Sequence, residues 1–133
     1  MWNEPNKETL KSIPKLYETE HTPLKDKLIY AHFFLGGNDW YVCETDGVDC
    51  FWGFVILNND FQMSEWGYFS FKELRDFSIK GVFEIEYDLY WKVRKASETE
   101  KICKGNRWKG ASDERSIQLQ DQKGISSGHA LIG

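Results

Sequence analysis

Cysteine is scarce in this chain. Three residues in 133 is an odd and low count, which excludes a disulfide scaffold and points to a reducing cytoplasm. No apolar run approaches the roughly 18 residues needed to span a bilayer, so no membrane partner is expected. The opening residues, Met1-Trp2-Asn3-Glu4-Pro5, lack the basic-then-apolar order of a signal peptide. Positive charge is also in short supply: 17 Lys and Arg against 21 Asp and Glu give −4 with the histidines neutral. That balance excludes a protein that coats duplex DNA by bulk charge, yet it falls short of the dense negative charge of a DNA mimic. Catalytic motifs are missing as well. Gly36-Gly37 is not followed by the Gly-Lys-Ser/Thr of a phosphate-binding loop, and there is no G-x-S-x-G elbow and no H-E-x-x-H. No cofactor and no catalytic residue is expected.

Aromatic residues, by contrast, are abundant: 9 Phe, 6 Tyr and 6 Trp, ample for a packed interior. They are concentrated. Residues 28–92 hold 18 of them and carry 4 basic against 11 acidic side chains, net −7. Residues 1–27 are balanced, and residues 93–133 are net +3 with Trp108 as their one aromatic. The composition predicts one domain over 1–96 with its core at 28–92, followed by a short helix and a basic, mobile tail over 97–133.

Local signals fill in the elements. Asn6 caps a short helix over Lys7 to Ile13, which Pro14 ends; the chain is then extended or irregular through Pro23. Leu28 to Leu35 and Trp40 to Thr45 read as strands, and Asp46-Gly47 as a two-residue hairpin turn into a strand over Val48 to Leu57, apolar on both faces and therefore central. A strand near Glu65 to Phe69 leads into a capping box, Ser70-Phe71-Lys72-Glu73, and a helix closed by Gly81. Phe83 to Val93 alternates apolar and polar throughout, which predicts an eleven-residue strand with Ile85, Leu89 and Trp91 buried and Glu84 and Glu86 outside. A second capping box at Ser97 opens a helix to about Lys104 with Gly105 as its stop. The fold class is α+β: a single domain with a mostly antiparallel, hairpin-built sheet and short helices packed on it.

Four segments in series carry a resemblance: Pro14-Lys15-Leu16-Tyr17-Glu18-Thr19-Glu20; Trp40-Tyr41 with Glu44-Thr45-Asp46-Gly47; Glu65-Trp66-Gly67-Tyr68-Phe69-Ser70 with Glu73-Leu74; and Asp88-Leu89-Tyr90-Trp91. Over about residues 5–96 the chain resembles a family of small bacterial domains of unknown function found on plasmids, phages and integrative elements. The resemblance implies a cytoplasmic, mobile-element-linked protein and supplies no activity. The family pattern has a basic residue before Asp-Leu-Tyr, where this chain has Tyr87.

Several constellations are candidates for chemistry. Glu84, Glu86 and Asp88 share one face of the expected strand; paired carboxylates can hold Mg²⁺ or divide acid and base roles, although a solvated polar face looks the same. Trp40 and Trp66, the latter beside Glu65, are the tryptophans nearest to turns and so the candidates for an interface. Arg107, Trp108 and Lys109 mix charge with a ring, as single-strand binders do. Cys43 and Cys50 stand opposite each other in a two-residue hairpin; packing explains them, and a redox bridge or half of a metal site is the alternative.

These candidates support three functional readings. The first is a non-enzymatic protein-binding accessory of a mobile element, in its specific form an antagonist of a host defence complex, using Trp40, Glu65, Trp66, Glu84, Glu86 and Asp88. The second is a nucleic-acid binder using the basic tail rather than the acidic core. The third is a small metal-dependent hydrolase or nuclease using the Glu84/Glu86/Asp88 strip.

Overall fold

The computed structural model describes residues 5–80, 84–106 and 113–115. Helix α1 (Lys7–Ser12) starts where the Asn6 side chain accepts the Thr9 amide. Strands β1 (Leu28–Ile29), β2 (Ala31–Leu35), β3 (Asn38–Thr45), β4 (Cys50–Ile56) and β5 (Glu65–Ser70) precede helix α2 (Phe71–Lys80). Strands β6 (Glu86–Tyr87) and β7 (Arg94–Lys95) and helix α3 (Glu100–Asn106) complete the order. Five strands form one antiparallel sheet in the order β5-β4-β3-β2-β6, and β1 pairs with β7 in a two-stranded ribbon. The α+β reading of the sequence is therefore correct.

Both faces of the sheet are covered. On one, Ala31, Phe33, Val42 and Phe51 pack with Ile13, Leu74 and Ile85, with Leu10 of α1 and Phe71 of α2 against them. On the other, Tyr41, Trp52, Phe54 and Ile56 pack with Leu24, Ile29, Ala96 and Ile102 of α3. Strand β4 is buried on both faces, as its unbroken apolar sequence requires.

Strand β3 carries a bulge between Val42 and Glu44, opposite Gly53. The extra residue reverses the facing of the last residues of the strand: Val42 belongs to the first core, but Cys43 and then Glu44, which is paired with Trp52, both face the second. The backbone approach is so close that a Cβ on Gly53 would lie 1.7 Å from the Tyr41 carbonyl oxygen.

Five sequence expectations need correction. The Ser97 capping box is not formed: the Lys95 amide donates to Glu98 Oε1 at the start of a 3-10 turn over Ala96–Glu98, and α3 begins only at Glu100. The long strand over 83–93 is not formed: Phe83 lies outside the described residues, β6 holds two residues, and the chain turns at Leu89-Tyr90. The Asp88 carboxylate accepts the Tyr90 amide, a local bond that competes with the ladder and ends the strand. Ile85 is buried and Glu86 exposed as expected, but Glu84 is half-buried and Leu89 is 64% exposed. Cys43 and Cys50 do not face each other. The bulge takes Cys43 out of register, Cys50 pairs with Ser70, and the connection is a longer loop in which Asp46 Oδ1 accepts the amides of Val48, Asp49 and Cys50. Leu28 to Leu35 is two strands, because β1 pairs with β7 in the ribbon whereas β2 pairs with β3 and β6 in the large sheet; the Tyr30 amide between them bonds to the Val42 carbonyl. Gly105 lies inside α3 rather than ending it; an added Cβ would be 2.1 Å from Ser64 Oγ, so glycine is there for close packing. The Gly81 stop lies outside the described residues.

Gly53→Ala should destabilise the protein by about 1–3 kcal/mol, since its methyl meets backbone that cannot yield. Its cross-strand partner Gly67 has open space, and Gly67→Ala should change stability by no more than about 0.5 kcal/mol. Urea unfolding of the two variants checks the contrast.

Candidate functional site

Glu44 is the centre of the most concentrated group of charges among the described residues. The β3 bulge aims it inward, and its residue exposure is 0%. An ionised carboxylate there must be bonded at every lone pair. The segment after Pro14 meets that need. It docks alongside the end of β3 through Leu16 N to the Thr45 carbonyl and Thr45 N to the Pro14 carbonyl, at 3.1 and 2.9 Å. The chain then turns over the carboxylate, with Tyr17 at φ +71°, in the left-handed region that non-glycine residues rarely occupy. That conformation directs the Tyr17 amide to Glu44 Oε1 at 2.7 Å, and the Thr19 amide and hydroxyl both reach Oε2.

The cation comes from far along the chain. Arg115 places Nη1 2.6 Å from Glu44 Oε1 and Nη2 2.9 Å from Oε2, a bidentate pair. Its guanidinium lies 3.7 Å over the Trp52 ring and 5.2 Å from the Tyr17 ring centre. Asp113 accepts from the same guanidinium and also pairs with the buried Lys27 ammonium at 3.0 Å. Lys27 is bonded in turn to the Thr19 carbonyl and hydroxyl. Two carboxylates and two cations thus close on one another beneath stacked Trp52 and Trp66, whose centroids are 5.3 Å apart. At the rim, the half-exposed Tyr68 donates from its hydroxyl to the Tyr17 hydroxyl at 2.8 Å. Burial and that bond push the Tyr68 pKa up to about 12.

Burial alone would raise the carboxyl pKa values of Glu44 and Asp113. The hydrogen bonds outweigh it: Arg115, Thr19 and Tyr17 for Glu44, and Arg115 and Lys27 for Asp113, so both are held below the ordinary range. The same carboxylates hold Arg115 protonated against its own burial.

A second polar cluster lies on the same side of the sheet. His32 places Nε2 2.8 Å from Asp39 and Nδ1 3.0 Å from Asp88, with its ring stacked on Tyr41 at 4.5 Å. Lys101 of α3 adds a bond to Asp39 at 2.9 Å. Asp39 is likewise held low, because His32 and Lys101 overcome the cost of burial.

The sequence-predicted site residues are not brought together. Trp40 pairs with Val55 and packs half-buried on the first core, whereas Trp66 stacks on Trp52 in the second. Glu65 is exposed at the start of β5. Glu84 is half-buried before β6, Glu86 is exposed on that edge strand, and Asp88 enters the His32 cluster. No group of three His, Cys, Asp or Glu side chains among the described residues has the arrangement of a metal site. Arg107, Trp108 and Lys109 lie outside the described residues. Sequence reasoning missed Lys27, Glu44, Asp113 and Arg115. A carboxylate directly after Val42-Cys43 on an apolar strand was the available signal for Glu44. No protein-family model, no curated protein and no solved structure matches the chain. No described helix is long and apolar enough to cross a membrane.

The depressed carboxyls set the acid sensitivity of the fold. A carboxyl with a folded pKa below its unfolded value contributes stability that is fully present above the unfolded value, about 4, and lost as pH falls through the folded one. The thermal midpoint should therefore drop steeply below about pH 4. Glu44→Gln should lower it at neutral pH and flatten this acid decline; an unchanged pH slope would contradict the ionised, buried Glu44.

Proposed function

We propose that this chain is a non-enzymatic protein-binding accessory of a mobile element, acting in the cytoplasm as an antagonist of a host defence complex. The observation that supports it best is the loop over residues 88–93. Leu89, Tyr90 and Val93 are 64, 89 and 51% exposed, an apolar set that water does not favour. The loop is nevertheless held firmly from beneath. Asp88 is fixed through its amide to the His32 carbonyl and its carboxylate to His32 Nδ1. Trp91 donates its indole N–H to the Ile29 carbonyl at 2.9 Å, and the Arg94 guanidinium covers its ring at 3.9 Å. A rigid loop that presents one tyrosine and two aliphatic side chains loses little entropy on binding, and such anchors supply most of the energy of protein interfaces. Glu86 is exposed just before it, which favours a partner surface with basic groups at its rim.

The groups that could do chemistry are occupied with structure. Both His32 nitrogens face carboxylates, Glu44 is bonded on both oxygens, and burial raises the Cys43 thiol far from a reactive thiolate. The resemblance to mobile-element domains supplies the biological setting.

Leu89→Ala and Tyr90→Ala should each shift stability by no more than about 0.5 kcal/mol, because the side chains they remove face solvent. Together they should abolish capture of a stoichiometric partner from host lysate. Undiminished capture, or no partner with the wild-type chain, would overturn the reading.

A further inference from the structure

The group around Glu44 has the construction of a receptor and its ligand joined in one chain. The receptor half comes entirely from residues 17–68. Glu44 is held by the Tyr17 amide and by the Thr19 amide and hydroxyl, and Lys27 by the Thr19 carbonyl and hydroxyl. Those bonds do not involve residues 113–115. They fix one carboxylate and one ammonium on either side of Thr19, under the Trp52 ring. The ligand half is Asp113-Glu114-Arg115, and it matches in sign and shape. Arg115 takes Glu44 in a bidentate pair and lies flat on Trp52, while Asp113 takes Lys27. The middle residue, Glu114, is exposed and is not read. The ligand also organises itself, since Asp113 Oδ1 accepts the Arg115 amide at 2.9 Å.

We infer that this slot is a docking site for an Asp-x-Arg segment of a partner protein, and that Asp113-Glu114-Arg115 is the internal occupant the partner displaces. Charge complementarity selects that chemistry. Arginine alone would leave Lys27 unpaired and an acidic residue alone would leave Glu44 unpaired, each at the cost of a buried charge. Lysine cannot reproduce two parallel bonds and a flat stack on an indole. The half-exposed Tyr17 and Tyr68 give an incoming segment an aromatic rim to meet first. The internal occupant has the advantage of high effective concentration, so the slot is closed to weak or isolated charges. The inference shares with the proposed function only the notion of a protein partner. It uses a different surface from the 88–93 loop, and the two can fail separately.

The test uses the full chain carrying Asp113→Ala and Arg115→Ala, which empties the slot while leaving the bonds from Tyr17 and Thr19 to Glu44 and from Lys27 to Thr19. The probe is the peptide acetyl-Ser-Asp-Glu-Arg-Ser-amide, titrated by calorimetry with near-ultraviolet dichroism as the check on folding. The emptied chain should bind it saturably. Peptides with Lys for Arg, or Asn for Asp, should bind at least about tenfold more weakly. Adding Glu44→Gln should remove binding, and the wild-type chain should bind far more weakly than the emptied one. A folded, emptied chain that gives no saturable response would overturn the proposal, as would equal binding of the lysine peptide. If the emptied chain does not fold, recovery of its native dichroism by the peptide, and not by the lysine peptide, supports the inference; failure to recover it overturns it. A tail-exchanged dimer of the wild-type chain in light scattering would assign the slot to a second copy and overturn the assignment to a partner.

Discussion

A carboxylate buried by a bulge sets the requirements that the rest of this molecule meets. The extra residue in β3 turns Glu44 from the side its alternation would give it to the side of Trp52, where its exposure falls to zero. A charge in that position is tolerated only if it is bonded all round, and its donors come from two distant places in the chain, the 17–19 segment and Arg115. The turn at Tyr17 accepts a left-handed backbone to supply one, Thr19 supplies two, and Arg115 supplies the countercharge. Lys27 and Asp113 then complete a balanced set. The turn over residues 17–19 and the anchoring of residues 113–115 both meet on that one carboxylate.

The His32 cluster works differently. It is half-open, and its role in the structure is to pin the start of the 88–93 loop to β2 and β3 while Lys101 ties α3 to Asp39. The sheet face shared by the two clusters is therefore polar at two points and aromatic between them, with Tyr41 and Trp91 against His32, and Trp52 and Trp66 over the Glu44 group. One cluster holds the base of an exposed apolar loop, and the other encloses two carboxylates paired with two cations.

How far the sequence could be read depended on whether the signal was local. The Asn6 cap and the Ser70 half of its capping box are made by side chains within three residues of the amides they satisfy, and both are present. The apolar run of β4 announces a strand covered on both faces, and it is one. The pattern over 83–93 misled because alternation records polarity and not hydrogen bonding. Asp88 has the polarity of an outward strand residue but is captured by His32 from one side and by Tyr90 N from the other, so the ladder stops there. The bulge had no sequence signature beyond Gly53, and with it went the register of Cys43 and the facing of Glu44. The Glu44 site was out of reach for the same reason: its partners are 71 and 25 residues away, and Arg115 lies in a stretch whose polar, aperiodic composition gives no sign of docking.

The measurement that bears most directly on this account is a double-mutant cycle on Glu44 and Arg115. Stabilities of the wild-type chain, Glu44→Gln, Arg115→Gln and the double variant are taken from denaturant unfolding at neutral pH. If the buried pair is the constraint around which the chain is arranged, each single change leaves its partner's charge buried and uncompensated, costing about 3–5 kcal/mol. The double variant should then cost markedly less than the sum, with a coupling of about 2 kcal/mol or more. Costs that add within about 0.5 kcal/mol would mean that Glu44 and Arg115 act independently, and the account would be wrong.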